Sequence, residues 1–197
     1  MSRITKPIEE RRQEIINTAR KLFVKKGFDK TQMADISKKM NVAAGTVYHY
    51  FKSKTDLLYA VIDELTDENT QKKHQLLSNA QSSAIDRLKL LFSSFENGEF
   101  QHHLSVKFTD DPAIIQYQLT KMVNSYMPLL LSLIEQGNSD GSWKCEYPNE
   151  TAIFLLQGMF GVMSREHSLK DSPKEKNKKI ATYKNMIYRV LGVVELE

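Results

Sequence analysis

Residues 27–58 read GFDKTQMADISKKMNVAAGTVYHYFKSKTDLL, and two short helices joined by a tight turn follow directly from that order. Thr31 is a good N-cap for a helix of about 32–39, with Met33, Ile36 and Met40 pointing inward. Asn41 stands where a tight inter-helix turn calls for positive φ, a region asparagine tolerates best after glycine. Val42 is the apolar plug after the turn, and a second short helix follows at about 43–49. In it Ala43, Ala44, Gly45 and Thr46 make a narrow leading edge, and Val47 and Phe51 are inward anchors. Tyr48, His49 and Tyr50 extend outward or to the sides. Ser53-Lys54-Thr55-Asp56 has the capping-box pattern, with Asp in place of the usual Glu. It opens a long helix of about 54–74 carrying Leu57, Leu58, Val61, Ile62 and Leu65.

Upstream, residues of about 8–26 place Ile8, Ile15, Ile16, Ala19, Leu22 and Phe23 on one face at three- and four-residue steps, with Gly27 closing the helix. Charge is divided along the chain. Residues 1–54 hold 13 Lys and Arg against 5 Asp and Glu, or +8, while the other 143 residues hold 15 against 19, or −4, which gives the net +4 of the whole. Two readings of the basic quarter stand: a head that binds a polyanion, or a solvated helix face without a partner. The paired short helices favour the first, since that geometry presents one helix to the DNA major groove. Gly45 costs up to about 1 kcal/mol of helix propensity relative to alanine, which points to a close approach of backbone to DNA. Lys52 and Lys54 suit phosphates, as do Thr31 and Gln32 at a helix start where free amides favour anions.

The stretch from Gly27 to Leu58 resembles the DNA-binding signature of the tetracycline-repressor (TetR) family. Its most specific part is Gly45-Thr46-Val47-Tyr48-His49-Tyr50-Phe51-Lys52-Ser53-Lys54, followed by Asp56-Leu57-Leu58. The resemblance implies that Thr46, Tyr48 and His49 face the operator. It implies phosphate contacts from Tyr48, Tyr50 and Lys54, and from Thr31 and Gln32 on the preceding helix. The alternative for Tyr48 and Tyr50 is plain core packing, but four consecutive large residues from Tyr48 to Phe51 cannot all point inward on a helix. Asn41 stands where the family usually has glycine and Ala43 where a serine cap is common, the latter a loss of about 1 kcal/mol.

Beyond residue 75 helical periodicity continues without β alternation, so the chain reads as all-α with about nine helices. A helix-turn-helix domain is expected over 1–53 and a helical ligand-binding and dimerisation domain over 54–197. Pro112 suits the first turn of a helix ending near Gln136, with Gly137 as its stop, a turn over 137–141, and a kink or break near Met127 caused by Pro128. The last two helices, about 149–167 and 175–194, carry much apolar surface. Phe154, Gly158, Gly161, Tyr183, Ile187, Val190 and Leu191 are candidates for a homodimer interface, and buried core is the alternative. Phe92, Phe95, Phe108, Tyr117, Met122, Tyr126 and Met163 are candidates for an effector pocket, again with core as the alternative. Such a pocket would take a lipophilic or aromatic molecule. Trp143 would cover the pocket or the dimer edge.

The implied partners are duplex operator DNA, a second copy of the chain and a small-molecule effector. The implied function is that of a ligand-released repressor. No Ser/His/Asp set, Cys/His pair or Gly-rich phosphate loop stands in a plausible order, so no catalytic residue is assigned. His102 and His103 are adjacent and point about 100° apart on a helix, which suits a solvated pair and not a metal clamp. No metal or cofactor is expected. The single cysteine, Cys145, reads as a lone loop thiol, and with no apolar leader and no long apolar run the chain is expected in the cytoplasm, away from membranes.

Overall fold

A computed structural model describes residues 7–78, 82–96, 109–165 and 172–193. Among them are eight helices and no strand: α1 (Ile8–Lys26), α2 (Met33–Met40), α3 (Ala44–Tyr50), α4 (Lys54–Ser78), α5 (Ala84–Glu96), α6 (Pro112–Asp140), α7 (Pro148–Arg165) and α8 (Pro173–Leu191). The all-α expectation holds. No helix of the described residues is long and apolar enough to cross a membrane.

The helix ends follow from local chemistry. Gly27, at φ 86°, donates its amide to Phe23 O and ends α1. Asn41 takes the left-handed conformation, φ 54° and ψ 45°, as its place in the sequence required. Its amide reaches Lys38 O and that of Val42 reaches Ser37 O, the paired pattern of a Schellman turn with Asn in the usual glycine position. α2 does not start on a Thr31 cap: Gln32 holds that place, and the Asp35 carboxylate accepts from Gln32 N at 3.1 Å. Ser53 does cap α4, its hydroxyl accepting from Asp56 N at 3.0 Å.

The chain divides into two compact units. One takes the chain through Leu65 together with a later stretch ending at Gln118; the other begins at Thr66 and resumes at Leu119. The head thus reaches past residue 53, enlisting the start of α4 and the first turns of α6. Its core is Ile15, Ile16, Ala19, Phe23, Phe28, Met33, Ile36, Val47, Phe51, Leu57, Leu58, Val61, Ile62, Leu65 and Ile114. Ile8, expected on the inward face of α1, is 68% exposed, because it sits in the first turn ahead of the helix's buried stretch, which begins at Ile15.

The body's core is built from α5 to α8 with the end of α4. The expected break near Met127 and the expected end near Gln136 both fail in α6. The helix is unbroken through Pro128, where proline forfeits a single intrahelical hydrogen bond and buried Tyr126, Leu129 and Leu133 hold both sides. It also passes Gly137 and runs to Asp140, with Gly141 taking the positive φ of 79° beyond its end. Gly137 serves a different purpose. Trp143 folds back on the helix, its Nε1 donating to Ile134 O at 2.9 Å, and a Cβ on Gly137 would lie 1.9 Å from the indole Cε2. Asp140 joins α6 to α5, its Oδ2 accepting from Ala84 N at 2.7 Å. Desolvation raises its carboxyl, but hydrogen bonds from Ser142 and Ala84 outweigh this and hold it below the ordinary aspartate value.

Gly137→Ala is therefore expected to displace Trp143 and destabilise the body by about 1–3 kcal/mol. Denaturant unfolding followed by the emission of this single tryptophan checks it, and an unshifted midpoint with unchanged emission would contradict the packing.

Candidate nucleic-acid interface

α3 has seven residues, and only Val47 among them is buried. Val47 at 0% and the following Phe51 at 5% exposure enter the head's core, and the Arg12 guanidinium lies 5.2 Å over the Phe51 ring. Ala44, Gly45, Tyr48 and His49 are exposed, and Thr46 and Tyr50 are half-buried. The Tyr50 ring meets His49 edge-on at 5.3 Å and also packs against the core. The outward edge of α3 is thus uncharged apart from histidine, while exposed Lys30, Lys38, Lys39 and Lys52 lie on the neighbouring segments. A Cβ built on Gly45 meets nothing within 4 Å, so no internal packing asks for glycine there.

Two predicted phosphate contacts are placed otherwise. Thr31 is completely buried, its hydroxyl donating to Gly27 O at 2.8 Å; its side chain is turned away from solvent because it closes the turn between α1 and α2. Lys54 donates to Phe28 O at 2.8 Å and lies 4.2 Å from the centre of the Phe28 ring, so it fastens the α1–α2 connector to the start of α4. Gln32 is exposed, but its amide is taken by Asp35. That backbone hydrogen bond holds the Asp35 carboxyl below its ordinary value, assisted by Lys26 at 3.5 Å. Lys30, exposed beside Gln32, is a candidate the sequence reading passed over; its signal was adjacency to the α2 start.

In the body, Phe92 and Tyr126 line an apolar cavity of about 40 Å³, shared with Leu88, Leu133, Leu156 and Ile187 among others. Met122 is buried in the same core without reaching the cavity. Tyr117 belongs to the first unit, its ring 4.2 Å from that of Tyr59 and its hydroxyl donating to Asp63 at 2.9 Å, so it is no pocket residue of the body. The side chains of Phe95 and Met163 lie outside the described residues, as do Phe108, His102 and His103 entirely.

Of the dimer candidates, Phe154 is 70% exposed and Val190 47%, Gly158 is exposed, and Gly161 and Tyr183 are half-buried. Ile187 and Leu191 are buried core, one step of the helix away from the exposed row, and Ile153, Val162 and Met186 join that row instead. Trp143 does not line the cavity; it is buried against α6. Cys145 is buried too, its Sγ 3.2 Å from Thr151 Oγ1. No cluster of three metal-ligating side chains occurs among the described residues.

Comparison with known proteins agrees with the helix-turn-helix of the head. Residues 15–61 match the profile of bacterial regulatory proteins of the tetR family. The chain is 28% identical over 184 residues to the HTH-type transcriptional regulator TtgR of Pseudomonas putida, which spans 83% of each protein. It is 27% identical over 140 residues to the HTH-type transcriptional repressor KstR2 of Mycolicibacterium smegmatis, 68% of each. Among solved structures, RolR in complex with resorcinol superposes with a TM-score of 0.69 at 19% identity, covering 94% of this chain and 89% of that one, a likeness of fold.

The turn makes the first prediction about the head. Asn41→Gly should leave its stability within about 1 kcal/mol, whereas a β-branched Asn41→Val should cost about 1–2 kcal/mol by forcing the left-handed conformation. Thermal unfolding of both variants checks this, and equal tolerance of Val and Gly would contradict the turn.

Proposed function

We propose that this chain, which belongs to the tetR family of bacterial regulatory proteins, acts as a homodimeric repressor that a small-molecule effector releases from its operator. It is a DNA-binding transcription regulator and not an enzyme. The observation that carries the operator-reading part of this proposal is the outward edge of α3. It is narrow, holds no Lys, Arg, Asp or Glu, and contains a glycine for which the protein's interior has no use.

On this reading Ala44 and Gly45 let the helix approach the major groove, and Thr46, Tyr48 and His49 meet base edges. Gln32, Tyr50 and Lys52, with Lys30, meet phosphates. Lys54 and Thr31 act one step back: by fixing the connector and the turn they set the pitch at which α3 is presented. The exposed apolar row of Phe154, Gly158, Val162, Met186 and Val190 supplies a self-complementary face for a second copy. Dimerisation has a physical motive as well, since two α3 helices set one turn of DNA apart bind far more tightly than one. The effector would bias the body toward a state whose heads no longer match operator spacing, a coupling typically of about 1–3 kcal/mol.

Two outcomes are expected. Gly45→Ala should raise the thermal stability of the free protein by up to about 1 kcal/mol while weakening operator binding in fluorescence anisotropy at fixed salt. Undiminished affinity would remove the main support for this reading. Phe154→Glu should give monomers by light scattering and abolish tight operator binding while leaving the helical content unchanged. A dimer that persists at micromolar concentration would place the contact elsewhere.

A further inference from the structure

α2 begins on a corner that the protein closes with its own groups. Thr31 N donates to Phe28 O at 3.1 Å, Asp35 N donates to Gln32 O at 3.0 Å, and the Gln32 amide meets the Asp35 carboxylate at 3.1 Å. Lys26, the last residue of α1, lies 3.5 Å from the same carboxylate oxygen. The hydrogen bond from Gln32 N outweighs desolvation and, with the Lys26 charge, holds the carboxyl below the ordinary aspartate value, so it is ionised at neutral pH. Asp35 is the single acid of α2, in a head that is otherwise strongly basic.

An anion in the first turn stabilises a helix, and a surface ion pair at this distance adds little. Neither benefit depends on where the corner faces, but its cost does. The first helix of a helix-turn-helix crosses the phosphate backbone of the duplex. Exposed Lys30 and Gln32, the phosphate contacts of the preceding section, stand at this corner, and Asp35 is one hydrogen bond from Gln32. Its carboxylate therefore sits on an amide that a phosphate oxygen would take, and it draws Lys26 away from the backbone. A fixed negative charge also repels every phosphate within a Debye length, about 8–10 Å at moderate salt.

We propose that Asp35 restrains the head's hold on DNA phosphates, by filling the start of α2 with the protein's own anion and by keeping Lys26 from the interface. The effect is a lower affinity for duplex of any sequence, with a larger share of the binding left to base contacts. The proposal rests on the reading of the Lys30–Gln32 corner as phosphate-facing, and it adds the residue that limits that contact.

The test measures binding of the full chain to a labelled random-sequence duplex by fluorescence anisotropy, from about 50 to about 200 mM salt. Asp35→Asn keeps an oxygen for the Gln32 amide and removes the charge. It should bind about tenfold more tightly at the low end and about threefold at the high end, because one added phosphate contact steepens the salt slope by about 0.9. Asp35→Glu keeps both charge and cap and should follow the wild type. Lys30→Gln should flatten the slope by about 0.9. Thermal unfolding checks that each variant folds, and Asp35→Ser, also neutral, replaces Asp35→Asn if that variant does not. Weaker binding by the neutral variant, or a steepened slope in Asp35→Glu, overturns the proposal. So does a wild-type slope in the neutral variant beside a flattened one in Lys30→Gln, which leaves the phosphate-facing corner standing. A wild-type slope in Lys30→Gln removes that corner and the proposal with it.

Discussion

A helix of seven residues has no stability of its own in water, so what α3 presents depends on the burial of Val47 and Phe51 in the head. Fully burying two such side chains contributes about 3–6 kcal/mol, more than the propensity cost of Gly45 and the missing cap at Ala43 together. The neighbours of this anchor keep it from tilting. Arg12 lies over Phe51, and the Asn41 turn leads α2 into α3 at a fixed angle. Lys54 binds the α1–α2 connector to α4 just beyond Phe51. An exposed edge as lean as Ala44-Gly45-Thr46 can be offered because its stability comes from the other side of the helix.

How much of this was legible in sequence depends on the range of each interaction. The α2–α3 turn was legible, since positive φ at Asn41 is a local demand that few residue types meet. The inward anchors were legible from helical spacing. Thr31 was misread because a hydroxyl at a helix start serves as a cap or closes the preceding turn, and only the fold shows that it bonds Gly27 O. Lys54 looked like a free cation, since nothing local announces an acceptor 26 residues upstream. Gly137 looked like a helix stop; its reason is Trp143, six positions on, lying where a side chain would be. In the last two helices the apolar positions were evident, but which row faced inward was not. Spacing of 183, 187 and 191 describes a coherent face without saying whether protein or solvent lies against it.

The body combines two opposed demands on α7 and α8. Each needs an apolar face for the core and keeps a second apolar row exposed, with Phe154 the most exposed of the large apolar side chains described there. Such helices are poor edges for a monomer, since an apolar row left in water marks a surface suited to a partner. Polar ties join α5 to α6 as well, from Ala84 N to Asp140 and from Arg87 to Gln136.

The claim that α3 is a sequence-reading element is tested most directly by selecting duplexes from a random pool with the purified protein at fixed, moderate salt. The expected result is convergence on an inverted repeat whose half-sites are centred about 10 base pairs, or a multiple of that, apart. A pool that never enriches above random duplex, while still binding in a salt-dependent way, would mean that the head holds phosphates and reads nothing.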